Sequence, residues 1–368
     1  MRGTHKPAID RFPSPEKLYD CLVIGGGQAG LACGYYLRKA HLTFAILDDQ
    51  NEPGGAWQHT WPSLTLFSPA GYSSLPGWMM PEYTQGFPPS EHVIAYLRAY
   101  ENRYQLPVHR PVAVTEVHHD GSVFTVKVTH GGNSEVLRAH NVISATGTWS
   151  QPHCPSYPGL ADFTGTHVHS AHYQGVDGFR DQRVAVVGGG NSGAQIAAEL
   201  SAVASVRWLT MRTPKFLPDD VDGRVLFQVA TQHARHLAAG TTSSGGIASL
   251  GDIVAVPEVR EARDSGRLFA EPMFTSLTPS GAQWADGTTD TFDQIVWCTG
   301  FRPALRHLQQ LRIRDAAGRI GTNGTACEAI DGLFLVGYGD WTGPASATLI
   351  GVGKTARDTV YAIQSRMN

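Results

Sequence analysis

Two glycine triplets carry the clearest chemical signal in this chain: Gly25-x-Gly27-x-x-Gly30 and Gly188-x-Gly190-x-x-Gly193. In such a triplet the first glycine makes a tight turn, the second lets backbone approach a pyrophosphate, and the third lets a helix pack closely on the strand before it. The helix that follows offers free N–H groups and a partial positive charge to the phosphates. The chemistry is dinucleotide binding, with Gln28, Ala29, Asn191 and Ser192 inside the two turns as further candidate contacts. A triplet alone is a weak signal, and its meaning comes from context. Asp48, at the end of the next apolar run, is placed to accept both ribose hydroxyls of an adenosine. The second triplet leads instead to Thr210-Met211-Arg212-Thr213, which has no carboxylate, and Arg212 can pair with a 2′-phosphate. NADPH is then tolerated; if Arg212 is only a solvated strand-end charge, NADH serves equally.

The elements that must hold these residues are legible. Residues 20–24 form a short continuous apolar run, as in a strand buried on both faces. A helix is expected over 28–39 and a second strand over 44–47. The order repeats as a strand over 183–187, a helix to about 200 and a strand over 206–210. Between the two, residues 112–117 and 123–128 alternate around His118-His119-Asp120-Gly121 and read as a hairpin. Val114 on its first strand counts among the candidate cofactor contacts. Residues 142–147 end in Ala145-Thr146-Gly147 and residues 294–300 in Thr299-Gly300, so each half closes on the same device and these five residues join the set. A last buried strand over 333–337 leads to Gly339-Asp340 and a helix from about 346 to the C-terminus. The fold class is α/β, with two Rossmann-like dinucleotide-binding domains, the second inserted in the first. The expected spans are an extension over 1–18, a first domain over 19–150 and 300–368, an inserted domain over 151–299, and a mobile Gly/Ser/Thr-rich loop over 238–251.

A chain of 368 residues exceeds one ordinary domain, and 42% apolar with 17% charged residues describes a soluble protein. A net charge of −3 gives no reason to expect nucleic acid or an anionic membrane as partner. No secretory leader and no run of roughly 18–20 apolar residues is present, so a cytoplasmic protein is expected. Five scattered cysteines without a C-x-x-C pair give neither a disulfide framework nor a zinc site. The histidines 118, 119, 167, 169 and 172 lack cysteine or carboxylate partners in pattern, so no metal is expected.

Two dinucleotide sites in one chain imply hydride transfer from one to the other, and a flavin accepts two electrons and passes them on while the protein positions the rings. The first domain, joined by the late Gly339-Asp340 segment, is expected to hold FAD, and the inserted one NADPH or NADH. Asp340 then bonds the ribityl or phosphate part of FAD. The helix behind Ala345-Ser346-Ala347 points its N-terminus at the flavin pyrimidine edge, with Ala347 among the contacts.

Gly54-Gly55-Ala56-Trp57, the two triplets, and Phe163-x-Gly165-x-x-x-His169-x-x-x-Tyr173 resemble the class B flavoprotein monooxygenases. The last segment matches the fingerprint of flavin-containing monooxygenases position by position; Baeyer–Villiger monooxygenases carry tryptophan where this chain has Tyr173. The resemblance runs from about Tyr19 onward, and Trp57-Gln58-His59 with Leu64-Thr65-Leu66-Phe67-Ser68-Pro69 looks most like the small bacterial members, which take NADH as well as NADPH. It implies Gly55, Ala56, Trp57 and His59 at the cofactor, and Phe67, His169 and Tyr173 at the chemistry. His59, His169 and Tyr173 read equally well as residues that fix the linker between domains. Phe67 stands where larger members place an asparagine over the flavin, so a hydrogen bond there is missing, and Met211-Arg212-Thr213 lacks their fuller basic set. The implied mechanism is reduction of FAD by NAD(P)H and formation of a C4a-(hydro)peroxyflavin with O2. Its oxygen then passes to small organic substrates, sulfides first, with amines and ketones as further candidates. Water exclusion decides whether oxygen reaches the substrate or leaves as hydrogen peroxide. Related enzymes are often dimers, which implies a homodimer here. A thioredoxin-reductase-like enzyme would need a cysteine pair that this chain lacks. Baeyer–Villiger oxidation as the main activity and a flavin redox sensor without turnover stay open, separable by product analysis and by whether NAD(P)H reduces the flavin.

Overall fold

The computed structural model describes residues 12–219, 221, 223, 225, 253–316 and 318–367. The expected loop over 238–251 lies outside the described residues. Two compact units emerge, one from Met1–Gln58, Ala70–Thr148 and Pro303–Asn368, the other from His59–Pro69 and Trp149–Arg302. The segment 59–69 therefore groups with the second unit, although it lies inside the expected span 19–150. Residues 12–18 are tied down: Phe12 stacks on His130 with centroids 5.2 Å apart, and the Ser14 N–H donates to the Tyr19 hydroxyl at 3.1 Å.

In the first unit the apolar run forms β1 (Leu18–Ile24), followed by α1 (Gln28–Lys39) and β2 (Phe44–Leu47). β1 and β2 pair in parallel with Ile24 opposite Leu47. α1 presents small residues to the sheet, and a Cβ on Gly34 would stand 2.8 Å from the Ile46 side chain, so this face lies close against β2. A helix absent from the sequence reading, α2 (Ser90–Arg103), buries Val93, Tyr96, Leu97 and Tyr100, the 3–4 spacing of one helical face. Its tyrosines reach outward at their tips: the Tyr96 and Tyr100 hydroxyls donate to the carbonyls of Trp78 and Pro76 at 2.7 and 2.6 Å.

After β3 (Val108–His109) come β4 (Ala113–His119), β5 (Phe124–His130) and β6 (Asn133–Ser144). The hairpin turns later than expected, because the Asp120 carboxylate accepts the N–H groups of Ser122 and Val123 and closes a turn there. His118 and His119 belong to the strand. β6 is antiparallel to β5 along its first half and parallel to β1 along its second, which alone formed the apolar run visible in sequence.

The second unit holds β7 (Thr166–His169), β8 (Arg183–Val187), α3 (Asn191–Leu200), β9 (Ser205–Thr210), a helix Pro257–Asp264, β10 (Ala270–Pro272), the strands β11 (Ser276–Thr278), β12 (Gly281–Gln283) and β13 (Thr289–Thr291), and β14 (Gln294–Trp297). Among the described residues its main sheet runs β10-β9-β8-β14-β7, all parallel, with β11–β13 as a separate antiparallel sheet. The core is aromatic: Trp297, Phe274, Phe292 and Leu209 pack together. The chain then returns to the first sheet with β15 (Thr322–Asn323), β16 (Ala326–Cys327) and β17 (Leu333–Leu335), giving the order β15-β16-β17-β6-β1-β2-β3.

The C-terminal helix spans Val352–Met367 and begins later than expected. Residues 345–351 form successive tight turns, with N–H bonds from Thr348 to the Ala345 carbonyl and from Val352 to that of Thr348. A Cβ on Gly351 would stand 2.1 Å from the Ala345 carbonyl oxygen, which is what allows the turns to close. The helix N-terminus is therefore not at Ala345-Ser346-Ala347. Among the described residues no helix is long and apolar enough to cross a membrane.

Candidate functional site

The first triplet sits where four parallel strands, β2, β1, β6 and β17, end together. The Gly25 N–H donates to the Leu47 carbonyl at 2.7 Å, that of Ala145 to Ile24 at 2.8 Å and that of Val336 to Ser144 at 2.9 Å. This carboxyl edge is where open α/β sheets bind ligands. A Cβ on Gly30 would stand 1.9 Å from the Gly25 oxygen, and one on Gly25, whose φ is +105°, 2.5 Å from the Ala145 oxygen. The chain's own packing requires glycine at both. Gly27 differs: a Cβ there would meet just the Gly55 Cα at 3.7 Å, an ordinary contact. Nothing in the chain demands glycine at 27, and the space over the start of α1 fits a phosphate held by backbone.

Around this turn the structure gathers much of the expected set. The Gln28 amide donates to the Ala347 carbonyl at 2.6 Å and accepts from the Trp57 indole N–H at 3.1 Å. Gly55 opens a short 3-10 turn, Gly55–His59, that carries Ala56 and Trp57. Ala29 lies against Gly337. Thr146 and Gly147 are bonded to Ala304 through a side chain and a carbonyl. Asp340 is exposed on the turn Gly339–Trp341. Val114 lines a cavity of about 410 Å³ with Thr115, Glu116, Arg306, His307 and Gln310.

Asp48 is 3% exposed and does not stand alone. Arg110 donates through Nε to Asp48 at 2.6 Å, through Nη1 to both oxygens of Glu101 at 2.8 Å, and through Nη2 to the Gly26 carbonyl at 3.3 Å. One guanidinium thus ties the glycine turn, Asp48 and α2 together. Burial pushes the Asp48 and Glu101 carboxyls up while Arg110 pulls them down. The cluster also explains the glycine between the first two of the triplet, since a Cβ on Gly26 would stand 2.5 Å from the Asp48 carboxylate. Arg110 was invisible in sequence because Asp48 and Gly26 lie 62 and 84 residues before it.

The second unit repeats the turn in register. The Gly188 N–H donates to the Leu209 carbonyl at 3.0 Å, as Gly25 does to Leu47, so Thr210 occupies the place of Asp48. A Cβ on Gly193 would stand 2.0 Å from the Gly188 oxygen, whereas one on Gly190 would meet nothing within 4 Å. The Trp208 indole donates to the Gly188 carbonyl at 2.8 Å and pins the turn. Asn191 accepts from the Val254 N–H at 2.8 Å, with Ser192 half-buried beside it. Past Thr210, Met211 is 83% exposed, and Arg212 and Thr213 are exposed too. The Thr299 hydroxyl donates to the His153 carbonyl.

His169 uses both ring nitrogens. Nδ1 accepts from the Ala171 N–H at 3.1 Å, and Nε2 donates to the Gly300 carbonyl at 3.0 Å. Burial lowers its pKa and keeps it neutral. Tyr173 is 1% exposed and packs on Phe179; burial and the neighbouring Glu199 carboxylate push its phenol far up. Ser63 donates to the same Glu199 at 2.9 Å. Both ring nitrogens of His169 are engaged by backbone, and the Tyr173 hydroxyl is buried without a hydrogen-bond partner, an arrangement that suits the reading of both as residues that fix the backbone. Phe67 is half-buried and its carbonyl accepts from the Gly223 N–H at 2.8 Å. His59 stacks flat on Trp149, centroids 3.6 Å apart, within the second unit, while Trp57 belongs to the first.

All five cysteines are free, and among the described residues no three His, Cys, Asp or Glu side chains cluster as metal ligands. Two glycine turns, each at the carboxyl edge of its own parallel sheet, define a two-dinucleotide oxidoreductase, and residues 22–265 match the family model described as pyridine nucleotide-disulphide oxidoreductase. The chain belongs to that family and, within it, to the bacterial flavin-containing monooxygenases related to the Baeyer–Villiger enzymes. The flavin-containing monooxygenase from Stenotrophomonas maltophilia is 47% identical, with a TM-score of 0.87 over 96% of this chain and 100% of that one. The oxidoreductase CzcO of Bacillus velezensis is 31% identical over 92% of this chain and 97% of its own. A cyclohexanone monooxygenase, 17% identical with a TM-score of 0.65 over 95% and 88% of the two chains, shares the fold. Membership brings FAD, a nicotinamide cofactor and FAD-dependent oxygenation as the reaction class.

Proposed function

We propose that this enzyme uses NADPH or NADH to reduce FAD and transfers one oxygen atom of O2 to small organic substrates, sulfides foremost, with amines and ketones as further substrates. The observation that carries this reading is the pair of open glycine positions, Gly27 and Gly190, each in a turn whose outer glycines the chain itself needs. The strand ends support which nucleotide goes where. Asp48, oriented by Arg110, suits the two hydroxyls of an unphosphorylated ribose, so residues 19–150 and 300–368 take FAD. At the equivalent place Thr210 is followed by exposed Met211 and Arg212, which suits a 2′-phosphate without demanding one, so residues 151–299 take NADPH or NADH.

When bound, the flavin accepts a hydride from the nicotinamide and activates O2, chemistry that no side chain here supplies. The protein's share is to bind, orient and exclude water. The start of α1 faces the pyrophosphate, and Gln28 locks the Trp57 indole to the Ala347 carbonyl as one wall of the FAD site. His169 holds Gly300 at the end of β14. The Phe67 side chain has no hydrogen-bond donor where larger members of the family carry an asparagine, so part of the reducing power is expected to leave as hydrogen peroxide. Free, scattered cysteines suit a cytoplasmic setting.

Steady-state kinetics of Arg212→Ala test the coenzyme assignment. The KM for NADPH is expected to rise about tenfold or more, the worth of a charge-assisted hydrogen bond, with the KM for NADH unmoved. Equal effects on both contradict a phosphate contact. Failure of either coenzyme to reduce the flavin of the wild-type enzyme would favour the sensor reading.

A further inference from the structure

We propose that His307 is a positioning residue for the turn Ala145-Thr146-Gly147, holding it through a one-way chain of hydrogen bonds, so that FAD affinity depends on a histidine that does not touch the nucleotide. This rests on the first unit being the FAD unit. The direction of the chain follows from counting hydrogens. The Thr146 hydroxyl lies 2.7 Å from the Ala304 carbonyl, which can only accept, so Thr146 spends its single hydroxyl hydrogen there. Its 2.8 Å contact with the Tyr338 hydroxyl must then be donated by the tyrosine. With that hydrogen spent, Tyr338 accepts from the Ser144 hydroxyl at 2.7 Å, and also from the Thr146 N–H at 3.3 Å. Ser144, its hydrogen spent in turn, accepts from His307 Nε2 at 3.0 Å. Each hydroxyl has one hydrogen, so no other order satisfies all four contacts, and the neutral ring carries its proton on Nε2.

Placement gives the chain its purpose. Ser144 is the last residue of β6, Tyr338 lies just past β17, and Thr146 sits in the turn at the edge that carries the glycine triplet. Ala304 to His307 belong to the returning segment, whose Ala304 N–H also bonds the Gly147 carbonyl at 2.9 Å. Ser144 is wholly buried, and His307 and Tyr338 are 6% and 8% exposed, so the bonds at Ser144 are largely shielded from water, while Thr146 at the other end is half-buried. Gly147 has a φ of +63°, a conformation that a loosened turn would leave.

The test is titration of the full-length protein, stripped of flavin, with FAD, following flavin fluorescence. Tyr338→Phe and His307→Leu are expected to raise the Kd for FAD about tenfold, the effect of one buried hydrogen bond, while the circular dichroism spectrum stays that of the wild type. His307→Gln keeps an N–H donor and is expected to bind FAD close to the wild-type level, a rescue that loss of packing alone would not give. If His307→Leu does not fold, Ser144→Ala breaks the same chain with a smaller change of volume and is expected to raise the Kd as much. An unchanged Kd in Tyr338→Phe, or a Kd for His307→Gln equal to that for His307→Leu, overturns the proposal. A wild-type apoprotein that takes up no FAD overturns the assignment of the unit, and the proposal with it, and is recognised because no variant is needed to see it.

Discussion

Arg110 is the residue on which the largest single effect is expected. Arg110→Met strands Asp48 and Glu101 as buried carboxylates without a cation, a loss of roughly 3–5 kcal/mol in urea unfolding, and weakens FAD binding as well. Arg110→Lys keeps the charge but cannot span three partners, and is expected to fall between. A stability effect below about 1 kcal/mol for Arg110→Met would show that the cluster is not the hub described. His307 makes a pH prediction. Burial lowers its pKa to about 4, below the ordinary value near 6.5. As pH falls through that window the unfolded chain takes up a proton that the native ring refuses. Stability is therefore full above about pH 6.5 and declines toward pH 4, by at most ~1.4 kcal/mol per pH unit for this residue. His109, also lowered to about 4, acts in the same direction. Urea midpoints of wild type and His307→Gln should lie close together at neutral pH and separate toward acid, where only the wild type loses stability to this residue; a constant difference contradicts the assignment. Neither Arg110 nor His307 was legible in sequence. Their partners are scattered over the chain, and no spacing rule reports a contact of that kind.

At the scale of elements, the two triplets separate glycines the chain needs from glycines a ligand needs. Gly30→Ala and Gly193→Ala drive a Cβ into the Gly25 and Gly188 carbonyls and are expected to destabilise their own turns, seen as a lower Tm. Gly27→Ala and Gly190→Ala meet no such obstacle and are expected to leave Tm nearly unchanged. The first should lose FAD, and the second should raise the nicotinamide KM while FAD content stays full. A Gly27→Ala protein that retains FAD at wild-type affinity would remove the argument for a cradle there. These turns were readable in sequence because their signal is local: a buried strand, three glycines and a helix within about twenty residues. α1 occupies the expected 28–39, and β2 and β8 the expected 44–47 and 183–187. The misses have equally local causes. α2 hid because two of its four core positions are tyrosines and three of the four, Val93, Leu97 and Tyr100, have a polar residue on one side. The start of the last helix was misplaced because Ser346 to Gly351 carries helix-compatible residues, while the turns there depend on Gly351 meeting the distant-seeming Ala345 carbonyl. The first half of β6 alternates across a half-exposed face, so its apolar run shows just where it becomes parallel to β1.

Taken as a whole molecule, the chain uses one device twice and alters, besides residues within the turn, the residue at the end of its second strand. Asp48 in the first copy and Thr210 in the second stand one residue past the same backbone bond, and on the function proposed above that difference suits an unphosphorylated ribose in the first and leaves room for a 2′-phosphate in the second. Among side chains expected at the chemistry, His169 has both ring nitrogens engaged by backbone and Tyr173 is buried, which suits a reaction whose reactive atoms belong to cofactors. The central claim is therefore coupled oxygenation, and it is tested most directly by following NADPH consumption by the FAD-loaded enzyme in air with an aryl methyl sulfide, with sulfoxide and hydrogen peroxide measured together. Sulfoxide is expected in proportion to the NADPH oxidised, with a minor share of peroxide; NADPH oxidised to peroxide alone, with neither a sulfide nor a ketone oxygenated, rules out coupled oxygenation.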